Sequence, residues 1–252
     1  MTWLLPMAAR RPAAFRTHAA VRACVVAASA VLAGCAMPPL GPSEAPPTPG
    51  PGPMPPTMMS TPPKLAGSSW YWLGTMTPAG LVGPLDPGAF NLEFLDGGQL
   101  AVQLDCNAGG ATWQQSGRTL TLGPVRSTRK ACPAASEAER FGRQLPLVRS
   151  AVLSMGLLQL SLGDAGTMVM ARDPDWKLRS YDCPNGAPSM LVALGRDQAV
   201  VRWRDESWQM KPQTTASGVR YASDTAILFS RGNEASLVSQ GKQVAGPCIA
   251  RR

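Results

Sequence analysis

A chain of 252 residues with 24 Lys and Arg, 16 Asp and Glu, one histidine and 44% hydrophobic residues carries a formal charge of +8. Its length suits one or two globular domains, and its basic residues are too scattered for the dense cationic face that nucleic acid requires. The only histidine is His18, near the N-terminus, so beyond it no imidazole is available for a Ser-His or Cys-His nucleophile, a proton shuttle or a metal.

The chain opens with Arg10, Arg11, Arg16 and Arg22 and an apolar run from Ala23 to Leu32 that is too short to span a bilayer as a mature helix. A cationic stretch followed by such a run reads as a cleaved signal, and Leu32-Ala33-Gly34-Cys35 at its end is a lipid-attachment pattern. The alternative is an ordinary signal with an incidental cysteine. The pattern resembles that of bacterial lipoproteins, which implies that residues 1–34 are removed and that Cys35 carries several acyl chains, enough for stable anchoring. Ala36 follows the cysteine, where an aspartate would imply retention at the inner membrane; the resemblance therefore points to the outer membrane. Loss of the four arginines leaves 20 basic against 16 acidic residues, a net charge of about +4.

Residues 35–64 form a lipidated cysteine and a linker. Twelve prolines among residues 36–64, interleaved with Gly, Ser, Thr and Met, leave little to bury. At about 3.1 Å per residue in polyproline II, the linker would reach at most roughly 90 Å as a spacer.

Beyond the linker four cysteines remain, Cys106, Cys132, Cys183 and Cys248, an even number in an oxidising compartment. Three pairings are open, and the presence of two cysteines in each half favours Cys106 with Cys132 and Cys183 with Cys248. A zinc site competes poorly, because the spacings are not paired C-x-x-C knuckles.

Residues 65–172 read as short strands with one helical interruption. Phe90, Leu92 and Phe94 alternate, Asp96-Gly97-Gly98 supplies a turn, and Leu100, Val102 and Leu104 alternate again, which predicts a hairpin. Leu158, Leu160 and Leu162, the Gly163–Gly166 turn, and Met168 and Met170 predict a second. Between them, Ser136 with Glu139 three residues on gives a capping-box pattern, and Phe141 and Leu145 fall one helical turn apart; Pro146 ends the helix near Leu145. Asn107 beside a cysteine reads as a turn residue, and Arg126, Arg129, Lys130, Arg140 and Arg143 as a solvated face. The region resembles the META domain family of HslJ-type envelope proteins through Gly67-Ser68-Ser69-Trp70, Asp105-Cys106-Asn107, Thr128-Arg129-Lys130-Ala131-Cys132 and the closing hairpin. That resemblance implies an α+β fold and an association with envelope stress rather than a defined activity.

Residues 173–252 read as strand throughout. Met190, Val192 and Leu194, a Gly195-Arg196-Asp197 turn, and Ala199, Val201 and Trp203 predict a hairpin, and Ala226, Leu228 and the stretch to Leu237 continue the pattern. About 80 residues of short strands with a cysteine near each end suggest a small antiparallel barrel or sandwich. Tyr181-Asp182-Cys183, Ser217-Gly218-Val219-Arg220-Tyr221, the run from Phe229 to Ala235 and Gly246-Pro247-Cys248 are similar to the MliC family, the membrane-bound inhibitors of c-type lysozyme. In that family a Ser-Gly-x-x-Tyr loop and a Lys-Gly turn enter the lysozyme cleft. The resemblance puts the loop on Ser217, Gly218 and Tyr221, and the turn on Arg231 and Gly232, with arginine in the lysine's place. Each of these residues taken singly is an ordinary turn or strand residue. The domain counts 11 basic and 8 acidic residues, a poor complement to lysozymes of this class, which are typically basic.

The sequence as a whole predicts a mainly β protein, an α+β META domain followed by a small antiparallel barrel. Its expected role is an outer-membrane lipoprotein facing the periplasm that binds c-type lysozyme by occlusion, with no cofactor, no metal, no nucleic acid and no turnover. Two rivals remain: a non-inhibitory envelope-stress or structural lipoprotein, and an enzyme using paired carboxylates on cell-wall glycans.

Overall fold

Alternation of apolar and polar residues turns most of the described chain into strand, and the inward phase of each strand supplies a core. The computed structural model describes residues 62–215 and 218–251. The signal at 1–34, the lipid-attachment site Cys35, most of the proline-rich linker and the loop residue Ser217 lie outside the described residues.

The first half contains β1 (Ser68–Thr77), β2 (Gly80–Val82), β3 (Phe90–Phe94), β4 (Gln99–Leu104), β5 (Asn107–Ser116), β6 (Thr119–Leu122) and β7 (Arg126–Ser127). A helix α1 (Ala138–Gln144) follows, then β8 (Ser150–Ser154), β9 (Leu157–Ser161) and β10 (Thr167–Ala171). The sheet runs β10-β9-β8-β6-β5-β4-β3-β1, and pairing of β1 with β10 closes it into a ring, with β2 added to β1 and β7 to β5. Both predicted hairpins form: Phe90, Leu92 and Phe94 lie opposite Leu104, Val102 and Leu100, and Leu158 and Leu160 lie opposite Met170 and Met168. All of these residues are buried in one core.

The helix is where the sequence pattern and the structure part. It forms where expected, but the capping box does not: Ser136 Oγ accepts from the Ala138 N–H at 3.2 Å, and Glu139 turns outward to pair with Arg143. With exposed arginines at positions 140 and 143, an ion pair within one turn competes for the glutamate that the box would use. Pro146 then tightens the end of the helix into a 3-10 turn, Leu145–Leu147. The helix seats Phe141 and Leu145, both fully buried, against the core. Phe141 stacks on Trp72 at 5.0 Å between centroids and meets Phe90 edge-on at 5.5 Å. Behind it runs a short polar chain, since Trp72 Nε1 donates to Thr75 Oγ1 at 3.1 Å and that hydroxyl donates to Gln144 Oε1 at 2.8 Å. The indole and the buried hydroxyl are thereby satisfied, which burial would otherwise penalise.

The second half contains β11 (Lys177–Asp182), β12 (Met190–Leu194), β13 (Ala199–Trp203), β14 (Glu206–Gln213), β15 (Val219–Ala222), β16 (Ala226–Arg231), β17 (Glu234–Ser239) and β18 (Lys242–Ala250). Each strand pairs with the next, and β18 returns to β11, giving a closed antiparallel barrel. Its interior holds Tyr181, Met190, Val192, Val201, Met210, Leu228 and Leu237. The predicted 190–194 and 199–203 hairpin is present.

The two barrels lie in one compact unit and share a third apolar cluster, in which Leu73, Leu157, Val169 and Ala171 of the first pack with Trp176 and Ala193. The sequence offered no sign of this contact, because its strand residues occupy the outward phase and Trp176 lies in the connection before β11.

Candidate functional site

The β15–β16 pair organises the end of the second barrel where the predicted loop residues fall. Val219 lies opposite Ser230, Arg220 opposite Phe229 and Tyr221 opposite Leu228. Beyond them Gly218 immediately precedes β15, and the Gly232-Asn233 turn joins β16 to β17, where Arg231 faces Glu234. Gly218 is held at φ +76°, and a Cβ there would lie 2.9 Å from the Ser230 carbonyl oxygen and 3.7 Å from Arg231 Cβ. Both facts demand glycine, and together they set the incoming loop against Arg231. Thr215 Oγ1 donates to the Gly218 carbonyl at 3.0 Å and fastens the loop's base.

These residues border an open groove of about 400 Å³ lined by Thr215, Val219, Arg220, Phe229, Arg231 and Glu234, among others. Its lining carries two guanidinium groups and one carboxylate. Among the described residues Arg231 forms no ion pair and stands exposed. The Arg220 guanidinium lies over the Phe229 ring at 5.5 Å, and its buried Nε has no hydrogen-bond partner among the described residues. Phe229 and Val219 are 44% and 48% exposed, apolar surface beside the two cations.

The structure thus brings Gly218, Arg231 and Gly232 to one end of the barrel, with Tyr221 set apart. Tyr221 shares the inward phase with Leu228 and packs half-buried on the core, and that burial pushes its phenol above the ordinary tyrosine range. Arg220, Phe229 and Glu234 were missed as groove residues, although the signal was available: Ala226 and Leu228 set the inward phase of β16, which sends Phe229 and Arg231 outward.

A second cluster surrounds the first disulfide. Cys106 is bonded to Cys132, and Cys183 to Cys248. Among the described residues no group of three or more His, Cys, Asp and Glu could hold a metal ion. Asn107 corrects the sequence expectation, because it is the first residue of β5, buried, and works through its side chain. Its Oδ1 accepts from the Lys130 N–H at 2.7 Å while its Nδ2 donates to the Lys130 carbonyl at 3.1 Å, so the amide pairs with Lys130 as a neighbouring strand would. Thr128 Oγ1 adds a third bond to Oδ1 at 2.9 Å. The left-handed residue at this turn is Asp105, at φ +55°. Of the basic run, Arg140 and Arg143 are paired with Glu137 and Glu139, while Arg126, Arg129 and Lys130 are exposed.

Comparison with known proteins adds the following. Residues 64–175 match the META domain family, and residues 181–245 match the family described as membrane-bound lysozyme-inhibitor of c-type lysozyme, MliC. No curated protein matches the chain. A structure determined by NMR, of a protein from Burkholderia xenovorans, is similar over 43% of this chain and 83% of its own, with 21% identity and a TM-score of 0.38.

Proposed function

With a META domain followed by an MliC domain as the folded parts of this chain, we propose that it is an outer-membrane lipoprotein, anchored through Cys35 and facing the periplasm, whose second barrel occludes the active-site cleft of c-type lysozyme. The observation that carries this reading is the juxtaposition of Gly218 and Arg231 at an open groove, within a domain of the inhibitor family. Lysozyme works with two carboxylates in a cleft, so a plug for it needs a narrow loop and a cation at its tip. The Ser217-Gly218 loop supplies the first and Arg231 the second. An exposed guanidinium without an ion-pair partner can meet a carboxylate through two parallel donors, which an ammonium in its place would not do. Gly232 keeps the turn behind it slim. Tyr221 holds the loop's base against the barrel core in this reading, and Phe229 and Val219 supply the apolar contact beside the charge. Binding is by occlusion alone, and the META domain and linker set the inhibitor away from the membrane.

One observation favours a second reading, a non-inhibitory envelope-stress or structural lipoprotein. The aromatic ring expected to wall the lysozyme cleft, that of Tyr221, packs inward instead.

The test is inhibition of a c-type lysozyme in a cell-wall turbidity assay by the whole chain carrying Cys35→Ser, beside versions that also carry Arg231→Ala or Ser217→Ala. Loss of a charge-assisted contact at the centre of the interface should weaken inhibition about tenfold or more for Arg231→Ala. Full inhibition by that variant would refute the docking mode. No inhibition by the folded parent would leave the second reading standing.

A further inference from the structure

Barrels in water normally turn polar residues outward, yet the outward phase of β11–β13 carries Leu178, Ala193 and Val200, which face one another across the strand pairs, and Leu191, which lies between Ser180 and Arg202. The first barrel does the same with Leu157 and Val169. Contact between the barrels buries part of this surface, and the rest lines a cleft of about 370 Å³. Leu178, Leu191 and Val200 remain half-exposed within it. Such a volume lies in the range of small-molecule sites, about 300–1,000 Å³.

The charge of the lining is one-sided. Among the described residues no Asp or Glu contributes to it, whereas Arg202 and Arg204 do, together with the hydroxyls of Ser154, Ser189 and Ser207. Arg202 continues the outward phase of Val200 and sits opposite Leu191, so the cation stands at the end of the apolar strip. Arg204 lies with its guanidinium over the Trp203 ring at 4.4 Å. Two hairpin tips reach into the cleft through residues in the left-handed region, Met155 at φ +51° and Arg204 at φ +55°. Bulky side chains avoid that conformation, and it tends to persist at functional sites.

We propose that this interdomain cleft binds an amphipathic anion with a single acyl chain, its tail along Leu178, Leu191 and Val200 and its carboxylate or phosphate head at Arg202 and Arg204. Leu157 and Val169 of the first barrel line the same cleft and complete its apolar wall. The proposal is independent of the lysozyme reading, which rests on β15 and β16 and on residues that do not line this cleft.

The experiment titrates dodecanoate and dodecyl phosphate below their micelle concentrations, and the uncharged dodecanol below its solubility limit, into the whole chain carrying Cys35→Ser, so that no acyl group of its own competes. Calorimetry should give one site per chain for at least one of the two anions, and their relative affinity assigns the head group. The double variant Arg202→Ala/Arg204→Ala should weaken the anion about tenfold or more and leave dodecanol within about twofold, as expected for loss of charge-assisted contacts. Leu191→Gln should weaken all three ligands, and Lys242→Ala, at the exposed start of β18 outside the cleft, none. Absence of saturable binding, or equal anion affinity in parent and double arginine variant, overturns the proposal. An unchanged thermal midpoint of each free variant excludes unfolding as the cause.

Discussion

Both barrels close a ring of eight strands, and they do so by opposite means. The first joins β1 to β10 over five residue pairs, from Tyr71 with Ala171 to Met76 with Thr167, and fills its interior with a helix and the Trp72, Phe90 and Phe141 cluster. Its disulfide lies away from that seam, tying the segment after β7 to the start of β5. The second joins β11 to β18 over two pairs only, Tyr181 with Ala250 and Asp182 with Ile249, and has no helix to fill it. Its disulfide, Cys183–Cys248, continues that short seam. A long seam over a large aromatic core holds itself; a short one is stapled. The disulfides therefore have different work to do, although the two bonds are chemically alike.

The largest expected effect separates them. On the chain-entropy account, removing Cys183–Cys248 as Cys183→Ser/Cys248→Ser costs about 4 kcal/mol, and removing Cys106–Cys132 about 3.5 kcal/mol. The totals are close, and amide exchange should part them. Loss of the second disulfide should strip protection from β11 and β18 while β1 and β10 stay protected, whereas loss of the first should expose only the segment around 127–132. Equal loss across both seams would refute the comparison. Next in size is Asn107→Ala, which leaves the Lys130 N–H and carbonyl without their side-chain partner. A cost of about 2 kcal/mol is expected from urea unfolding, in the range for several lost buried hydrogen bonds. Asn107→Asp, which keeps the acceptor and loses the donor, should fall between. A cost within error for Asn107→Ala would mean that the disulfide alone holds the segment.

Much of this was legible in the sequence, and the exceptions share a cause. Local alternation and turn chemistry gave the hairpins at 90–104, 158–170 and 190–203, and the division of cysteines between halves gave both disulfides. What failed to show were choices decided by partners distant in sequence. Asn107 reads as a turn residue beside Asp105-Cys106, but its role depends on a backbone 23 positions further on. Glu139 reads as half of a capping box until Arg143 claims it. Leu157, Val169 and Ala193 read as outward and therefore solvated, and only a second barrel explains them. At the groove, the resemblance located the end of the barrel through Gly218 and Arg231, yet placed Tyr221 on its surface, because a motif carries residue types without the phase of the strand beneath them. The same phase, read from Ala226 and Leu228, pointed to Phe229.

The smallest effect probes how far the barrels depend on each other. Asp182 sits at the stapled seam and accepts from Arg251 Nη2 at 2.7 Å, from Arg251 Nε at 3.1 Å and from Ser189 Oγ at 2.9 Å, while Arg251 Nη1 donates to the Ala79 carbonyl of the first barrel at 3.3 Å. The hydrogen bonds from Arg251 and Ser189 hold the Asp182 carboxyl below the ordinary aspartate range. A carboxyl lowered on folding contributes stability that is complete above its unfolded value of about 4 and is lost as pH falls through the folded value. Asp182→Asn should therefore flatten a small part of the acid limb of stability and change little at pH 7, because both partners are solvent-exposed and an exposed pair contributes weakly. Arg251→Ala removes the larger part of the same limb, leaving the Ser189 bond, and the tie to Ala79 as well. If the two variants match in thermal midpoint at every pH from 7 to 3, the Ala79 contact contributes nothing and the apolar cluster around Trp176 alone joins the barrels. A further drop in Arg251→Ala at pH 7, where Asp182 stays ionised in the parent, would show that the second barrel's closing strand also holds the first.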